Sequence, residues 1–219
     1  MYSKIPNDLP NLYCLTSDNV ACSHSNQIEI MCMKGVKLIQ LRAKSLTNHS
    51  LMKEAKRAVE ISNHFETTLI INDSLECSAR AESNGVHLGK RDFSITLARR
   101  ILGDEKLIGE TIHSMEEAWL AKKRNVSDYV GIGPFRRSPT KSSLFPELGP
   151  KDFLMISEYL SSVPTYLIGG LNYDDFYLIK KLNLAGICIC SSLSEGREFG
   201  VHLNKFVLEA KKYLSKINR

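Results

Sequence analysis

One pattern recurs along this chain: a short apolar run, a polar cluster that ends it, and a helical stretch. The runs are Leu12 to Thr16, Val36 to Leu41, Leu69 to Ile71, Gly85 to Leu88, Leu107 to His113, Asp128 to Pro134, Thr165 to Ile168 and Gly186 to Cys190. About eight strand-then-helix units at spacings of roughly 20 to 30 residues, with no linker between them, predict an α/β chain closed as a (β/α)8, or TIM, barrel. Residues 1–219 then form one domain. An open doubly wound sheet is the other arrangement such a repeat allows. No strand runs into a GxGxxG opening, which weakens a dinucleotide-binding reading.

The helices between the runs are expected from Gln27 to Lys34, closed by Gly35, and from Leu51 to His64. Others are expected from Ser94, as N-cap, to Leu102, from Ser114 onward, from Lys151 to Leu160, from Tyr173 to Leu182 and from Asn204 to Asn218. In a barrel of this kind function gathers where strands end, and the unusual polar clusters of this chain lie at those places.

The stretch from Leu69 to Asp92 shows why. Two strands joined by one helix run parallel, so Asp73 and Asp92, each just past a strand, emerge at the same edge of the sheet. Carboxylates held together there repel each other unless a cation lies between them, and hard oxygen ligands facing a phosphate-bearing substrate suit Mg²⁺. The plainer alternative is that each Asp caps the helix after its strand. Asn72 beside the first and Lys90-Arg91 beside the second favour the metal reading.

Three further clusters look like phosphate-binding groups. Gln40, Arg42 and Lys44, spaced two apart, share one face as the second strand ends. Gly169-Gly170 after strand seven and Cys190-Ser191-Ser192 after strand eight occupy the loops that commonly bind phosphate in this architecture. Ser138, Thr140 and Lys141 place two hydroxyls and an ammonium on the longest loop, Pro134 to Gly149, long enough to close over a ligand. Together they predict a barrel mouth that takes two small phosphorylated ligands at once.

Composition excludes more than it assigns. A hydrophobic content of 43% and a charged content of 24% are ordinary for a globular protein. The net charge of +5 is spread out rather than gathered into a stripe, so no nucleic-acid partner is expected. Six cysteines without CxxC spacing suggest free thiols in a reducing cytoplasm rather than disulfides or zinc. The opening MYSKIPNDLPN lacks a signal-peptide apolar region, and no run approaches the ~18 residues of a membrane span, so a cytoplasmic protein without a membrane partner is expected. A homo-oligomer remains compatible with all of this.

Taken in order, LYCLTSD, QLRAK, LIINDS, GVHLGKRD, GETIHS, GIGPFRRSPTK, YLIGG and ICICSSL resemble the thiamine-phosphate synthase family over nearly the whole chain. The resemblance implies that Gln40, Arg42, Lys44, Asn72 and Lys141 bind the diphosphate of 4-amino-2-methyl-5-hydroxymethylpyrimidine diphosphate, with Thr111 on the pyrimidine. It implies Mg²⁺ on Asp73 and Asp92, and a thiazole phosphate on Ser138, Thr140, Gly170, Cys190 and Ser191. Arg42, Lys44 and Lys141 would carry the catalysis by stabilising charge on the departing pyrophosphate. Thr111 stands for the family's usual Ser and Ser138 for its usual Thr, while Arg136-Arg137 replace apolar residues and Glu110 a small or apolar one. The related thiazole tautomerase branch is one rival, with His113 as its acid-base candidate, although synthases commonly carry that histidine and a hydrogen-bonded structural role is expected for it. A non-catalytic thiazole-phosphate-binding regulator is the other rival. His87 is expected in the core or at the mouth.

Overall fold

The computed structural model describes residues 9–136, 148–194 and 199–217, with side chains to residue 213. Eight parallel strands close into a barrel in chain order: β1 (Leu12–Leu15), β2 (Leu38–Leu41), β3 (Thr68–Asn72), β4 (Gly85–Leu88), β5 (Leu107–Ile112), β6 (Tyr129–Ile132), β7 (Thr165–Ile168) and β8 (Gly186–Ile189). β1 pairs with β8, with Tyr13 opposite Cys188, and completes the ring. Around it lie α1 (His24–Met33), α2 (Asn48–His64), α3 (Leu75–Ala81), α4 (Ile95–Leu102), α5 (Met115–Arg124), α6 (Pro150–Tyr159), α7 (Tyr177–Lys181) and α8 (Phe199–Ile217). No helix among the described residues is long and apolar enough to cross a membrane.

The strands read as continuous apolar runs because both of their faces are covered. Outward residues such as Cys14, Ile39, Leu41, Leu69, Ile71 and Val130 pack under the helices. Inward ones, Tyr13, Leu38, Ile70, Leu107, Tyr129, Tyr166 and Cys188, fill the barrel itself. Three tyrosine rings meet edge to face there, with centroids 5.4 to 5.9 Å apart, the arrangement their quadrupoles favour. Gly109 makes room for them, since a Cβ at that position would lie 2.1 Å from the Tyr129 ring.

Loop chemistry aims the helices. Ser23, Thr47, Ser74, Ser94 and Ser114 each accept a hydrogen bond from a backbone N–H in the first turn of the helix that follows. Caps explain two early starts, since α1 begins at His24 after Ser23 and α2 at Asn48 after Thr47, each about a turn ahead of the apolar periodicity. The helix expected over Tyr173 to Leu182 is instead a 3₁₀ turn, Tyr173–Phe176, followed by α7. Asp175 causes the tight turn, because its carboxylate bonds back to the N–H of Asn172 at 2.9 Å. The last helix starts at Phe199 rather than Asn204, and Leu203, Phe206 and Ala210 form its buried side.

Candidate active site

The carboxyl ends of the strands surround a cavity of about 470 Å³. Of the described residues expected in the site, Gln40, Arg42, Lys44, Asn72, Asp73, Asp92, Thr111, Gly169, Gly170, Cys190 and Ser191 line it, and Ser192 does not. Ser138, Thr140 and Lys141 lie outside the described residues.

On the β2–β4 side, charge arrives on side chains. The chain leaves β2 in an extended path held by the end of β1. Thr16 Oγ1 accepts from the Arg42 N–H at 2.8 Å and donates to the Arg42 carbonyl at 2.9 Å. Asp18 accepts from the N–H groups of Lys44 at 3.1 Å and Ser45 at 3.3 Å, and from the Ser45 hydroxyl at 2.6 Å. Burial raises the Asp18 pKa, but these donors and nearby His24 outweigh it and hold the carboxyl below its ordinary value. Thr16 and Asp18 are therefore positioning residues that the strand-by-strand reading missed; the signal was the polar TSD directly after the first apolar run.

Asp73 and Asp92 meet as expected. β3 and β4 are in register with Asn72 opposite His87, and the Asp73 N–H donates to the His87 carbonyl at 2.8 Å. Asp73 adopts a left-handed backbone, φ +62°, which turns it off the strand axis. Neither Asp caps a helix, since Ser74 and Ser94 do. Burial raises the Asp92 pKa, and the adjoining Asp73 carboxyl raises it further against the Gly89 N–H and Lys44, which lower it. Lys44 is ion-paired with Asp73.

That repelling pair of hard oxygen donors fits a divalent cation of the Mg²⁺ type. Among the described residues there is no group of three or more His, Cys, Asp and Glu side chains able to hold a metal. Two carboxylates leave coordination positions for phosphate oxygens and water, as Mg²⁺ sites that also bind substrate do.

On the β6–β8 side the material is backbone. Gly169 and Gly170 both have positive φ, +94° and +61°, and a Cβ on Gly169 would lie 2.7 Å from the Pro134 side chain. Arg136 explains its own departure from the family pattern. Its guanidinium grips buried Asp175 through two bonds of 2.6 and 2.9 Å, donates to the Gly170 carbonyl at 3.1 Å and stacks on Phe135. Its backbone N–H bonds the Gly169 carbonyl at 3.1 Å, so one residue fastens the diglycine turn to the foot of the long loop. Ser192 donates to the Leu171 carbonyl and joins that turn to the end of β8. The Cys190 thiol leans toward the Thr16 carbonyl, 3.8 Å away.

Glu110 also acquires an account. It points out of the barrel between β5 and the end of α5, paired with Arg124 at 2.5 Å and with the Ser127 hydroxyl. It is therefore remote from the cavity chemistry. His113 is buried and also lines the cavity, with Nδ1 2.6 Å from the Gly133 carbonyl and its own N–H donating to Glu117 at 2.7 Å. His87 lines the cavity and lies within hydrogen-bonding distance of Tyr129 and Thr111.

Comparisons with known proteins point to one family. Residues 12–193 match the family model described as "Thiamine monophosphate synthase". The chain is 35% identical over 182 residues to the thiamine-phosphate synthase of Fusobacterium nucleatum, covering 82% of this chain and 87% of that one. It is 29% identical over 181 residues to that of Clostridium botulinum strain Loch Maree, covering 83% and 87%. Among solved structures, a thiamine phosphate pyrophosphorylase from Pyrococcus furiosus superposes with a TM-score of 0.81 at 21% identity, over 93% of this chain and 96% of that one, a likeness of fold. A family match across 12–193, closed by a 35% identical relative, establishes that this chain belongs to the thiamine monophosphate synthase family.

Proposed function

We propose that the cavity joins 4-amino-2-methyl-5-hydroxymethylpyrimidine diphosphate to 4-methyl-5-(2-phosphoethyl)thiazole, giving thiamine phosphate and pyrophosphate. The chain is on this reading a transferase, a thiamine-phosphate synthase. One observation carries the reading: the cations Arg42 and Lys44, the pair Asp73 and Asp92, and the Gly170 and Ser191 loops all open into a single cavity. Two phosphorylated substrates thereby have separate anchors on one mouth.

Diphosphate departure builds negative charge on an oxygen, and Arg42 and Lys44, whose backbone is held by Thr16 and Asp18, supply counter-charge from side chains that open into the cavity. Lys141, by resemblance, adds a third cation. Asp73 and Asp92 would hold Mg²⁺, which supplies further positive charge at the diphosphate. Gln40 and Asn72 orient the diphosphate, and Thr111 faces the pyrimidine. The turn at Gly169-Gly170 with Ser191 receives the thiazole phosphate, helped in the family pattern by Ser138 and Thr140. Attack by the thiazole nitrogen on the freed methylene carbon requires no general base, because that nitrogen carries no proton. This chemistry asks no proton transfer of His113, whose Nδ1 is engaged by the Gly133 carbonyl.

Purified protein mixed with both phosphorylated substrates, with and without Mg²⁺, tests the proposal. Thiamine phosphate formed with the metal and not without it is the expected result. Binding of thiazole phosphate with no product would select a non-catalytic regulator instead.

A further inference from the structure

Along the wall of the cavity a line of polar side chains crosses the barrel from β2 to β5. Gln40 Nε2 donates to the Tyr13 hydroxyl at 2.7 Å, which lies 2.9 Å from the Tyr129 hydroxyl. Tyr129 is 3.2 Å from His87 Nδ1, and His87 Nε2 is 2.8 Å from Thr111 Oγ1. Five strands contribute one residue each. Gln40, Tyr13, Tyr129 and His87 are buried, while Thr111 is partly exposed and lines the cavity.

The line has a direction. With the Gln40 amide oriented so that its nitrogen faces Tyr13, that nitrogen has only protons to offer, and the Tyr13 oxygen is an acceptor toward it. The Tyr13 proton then points to the Tyr129 oxygen, and the Tyr129 proton to His87 Nδ1. That leaves the imidazole neutral with its proton on Nε2, donating to Thr111. Thr111, accepting inside the barrel, turns its own proton toward the cavity. Burial pushes both phenols well above their ordinary range, so neither loses the proton the line needs. In the opposite polarity, Tyr129 would donate to Tyr13, whose buried proton would then face the Gln40 NH₂ group, at the cost of an unmade hydrogen bond.

We propose that Tyr13, Tyr129 and His87 are positioning residues that lock Thr111 as a hydrogen-bond donor, selecting a heteroaromatic ligand that presents an unprotonated ring nitrogen at that point. The proposal deepens the synthase reading, since it defines how the pyrimidine edge is recognised, and it adds residues that act through Thr111.

Nitrogen-15 NMR of the full chain, with the His87 signal identified by its loss in His87→Asn, tests the direction. The Nε2–H tautomer is expected in the wild type. In Tyr129→Phe that tautomer should lose its dominance, and KM for the pyrimidine diphosphate should rise roughly tenfold while KM for the thiazole phosphate stays within twofold. A wild-type Nδ1–H tautomer overturns the proposal, as does a Tyr129→Phe protein in which both KM values move together. Should Tyr129→Phe fail to fold, the wild-type tautomer still decides. Should the wild type make no thiamine phosphate, the functional reading fails, while the tautomer measurement continues to report on the relay.

Discussion

The two sides of the barrel mouth are built from different materials. On the β2–β4 side, Arg42, Lys44, Asp73 and Asp92 deliver charge on side chains whose positions follow from strand ends. On the β6–β8 side, a diglycine turn and a short 3₁₀ turn beginning at Ser191 present backbone, and a bidentate Arg136–Asp175 pair holds the first of them. Side-chain charge needs only a correct register, whereas a backbone cradle needs a loop kept in one conformation. The first side should therefore fail in chemistry when damaged, and the second in binding.

The largest expected effect tests the charged side. Asp73→Ala should lower Mg²⁺-dependent turnover by at least ~100-fold, on the order of 3 kcal/mol, with the circular dichroism of the barrel retained. Unchanged turnover in that variant would remove the metal from the mechanism. Next comes the clamp. Arg136→Met keeps the stem over Phe135 but abandons buried Asp175, and should raise KM for the thiazole phosphate about tenfold with kcat nearly kept. Loss of kcat with both KM values intact would show that the two sides are not separable in this way.

A smaller change probes the same side directly. Ser191→Ala should raise the thiazole phosphate KM by roughly threefold to tenfold through one lost hydrogen bond. If only the pyrimidine KM moves, the assignment of the β8 loop is wrong. The mildest effect on catalysis belongs outside the mouth. Glu110→Ala removes the buried partner of Arg124 and Ser127 and should cost about 1–3 kcal/mol of stability, read as a fall in Tm, with turnover unchanged. Impaired turnover at full stability would bring Glu110 back into the site.

Legibility in the sequence followed the same division. The eight-unit repeat is a short-range pattern, so the barrel and nearly every strand could be read from it; β4 and β7 fall on the residues expected. Asp73 and Asp92 could be placed together because any βαβ unit sends both strand ends to one edge. Arg136 and Glu110 could not be interpreted, because their partners Asp175 and Arg124 are 39 and 14 residues away and lie on other elements. Thr16 and Asp18 were hidden for the same reason, acting across 26 residues on the backbone of Arg42 and Lys44. Helix starts at His24 and Asn48 were missed because caps are polar and carry no apolar period.

Local order along the chain determined the barrel, its direction and the end of it that carries the phosphate-binding groups, since strand and helix periods and the handedness of their connections are properties of neighbouring residues. Only the closed ring decided that Tyr13, Tyr129 and His87 would form a hydrogen-bonded line along the cavity wall and that an arginine would fasten a diglycine turn. Hydrogen bonds and ion pairs act over about 3 Å, and nothing in the linear spacing of residues says which distant side chains a closing barrel brings within that range.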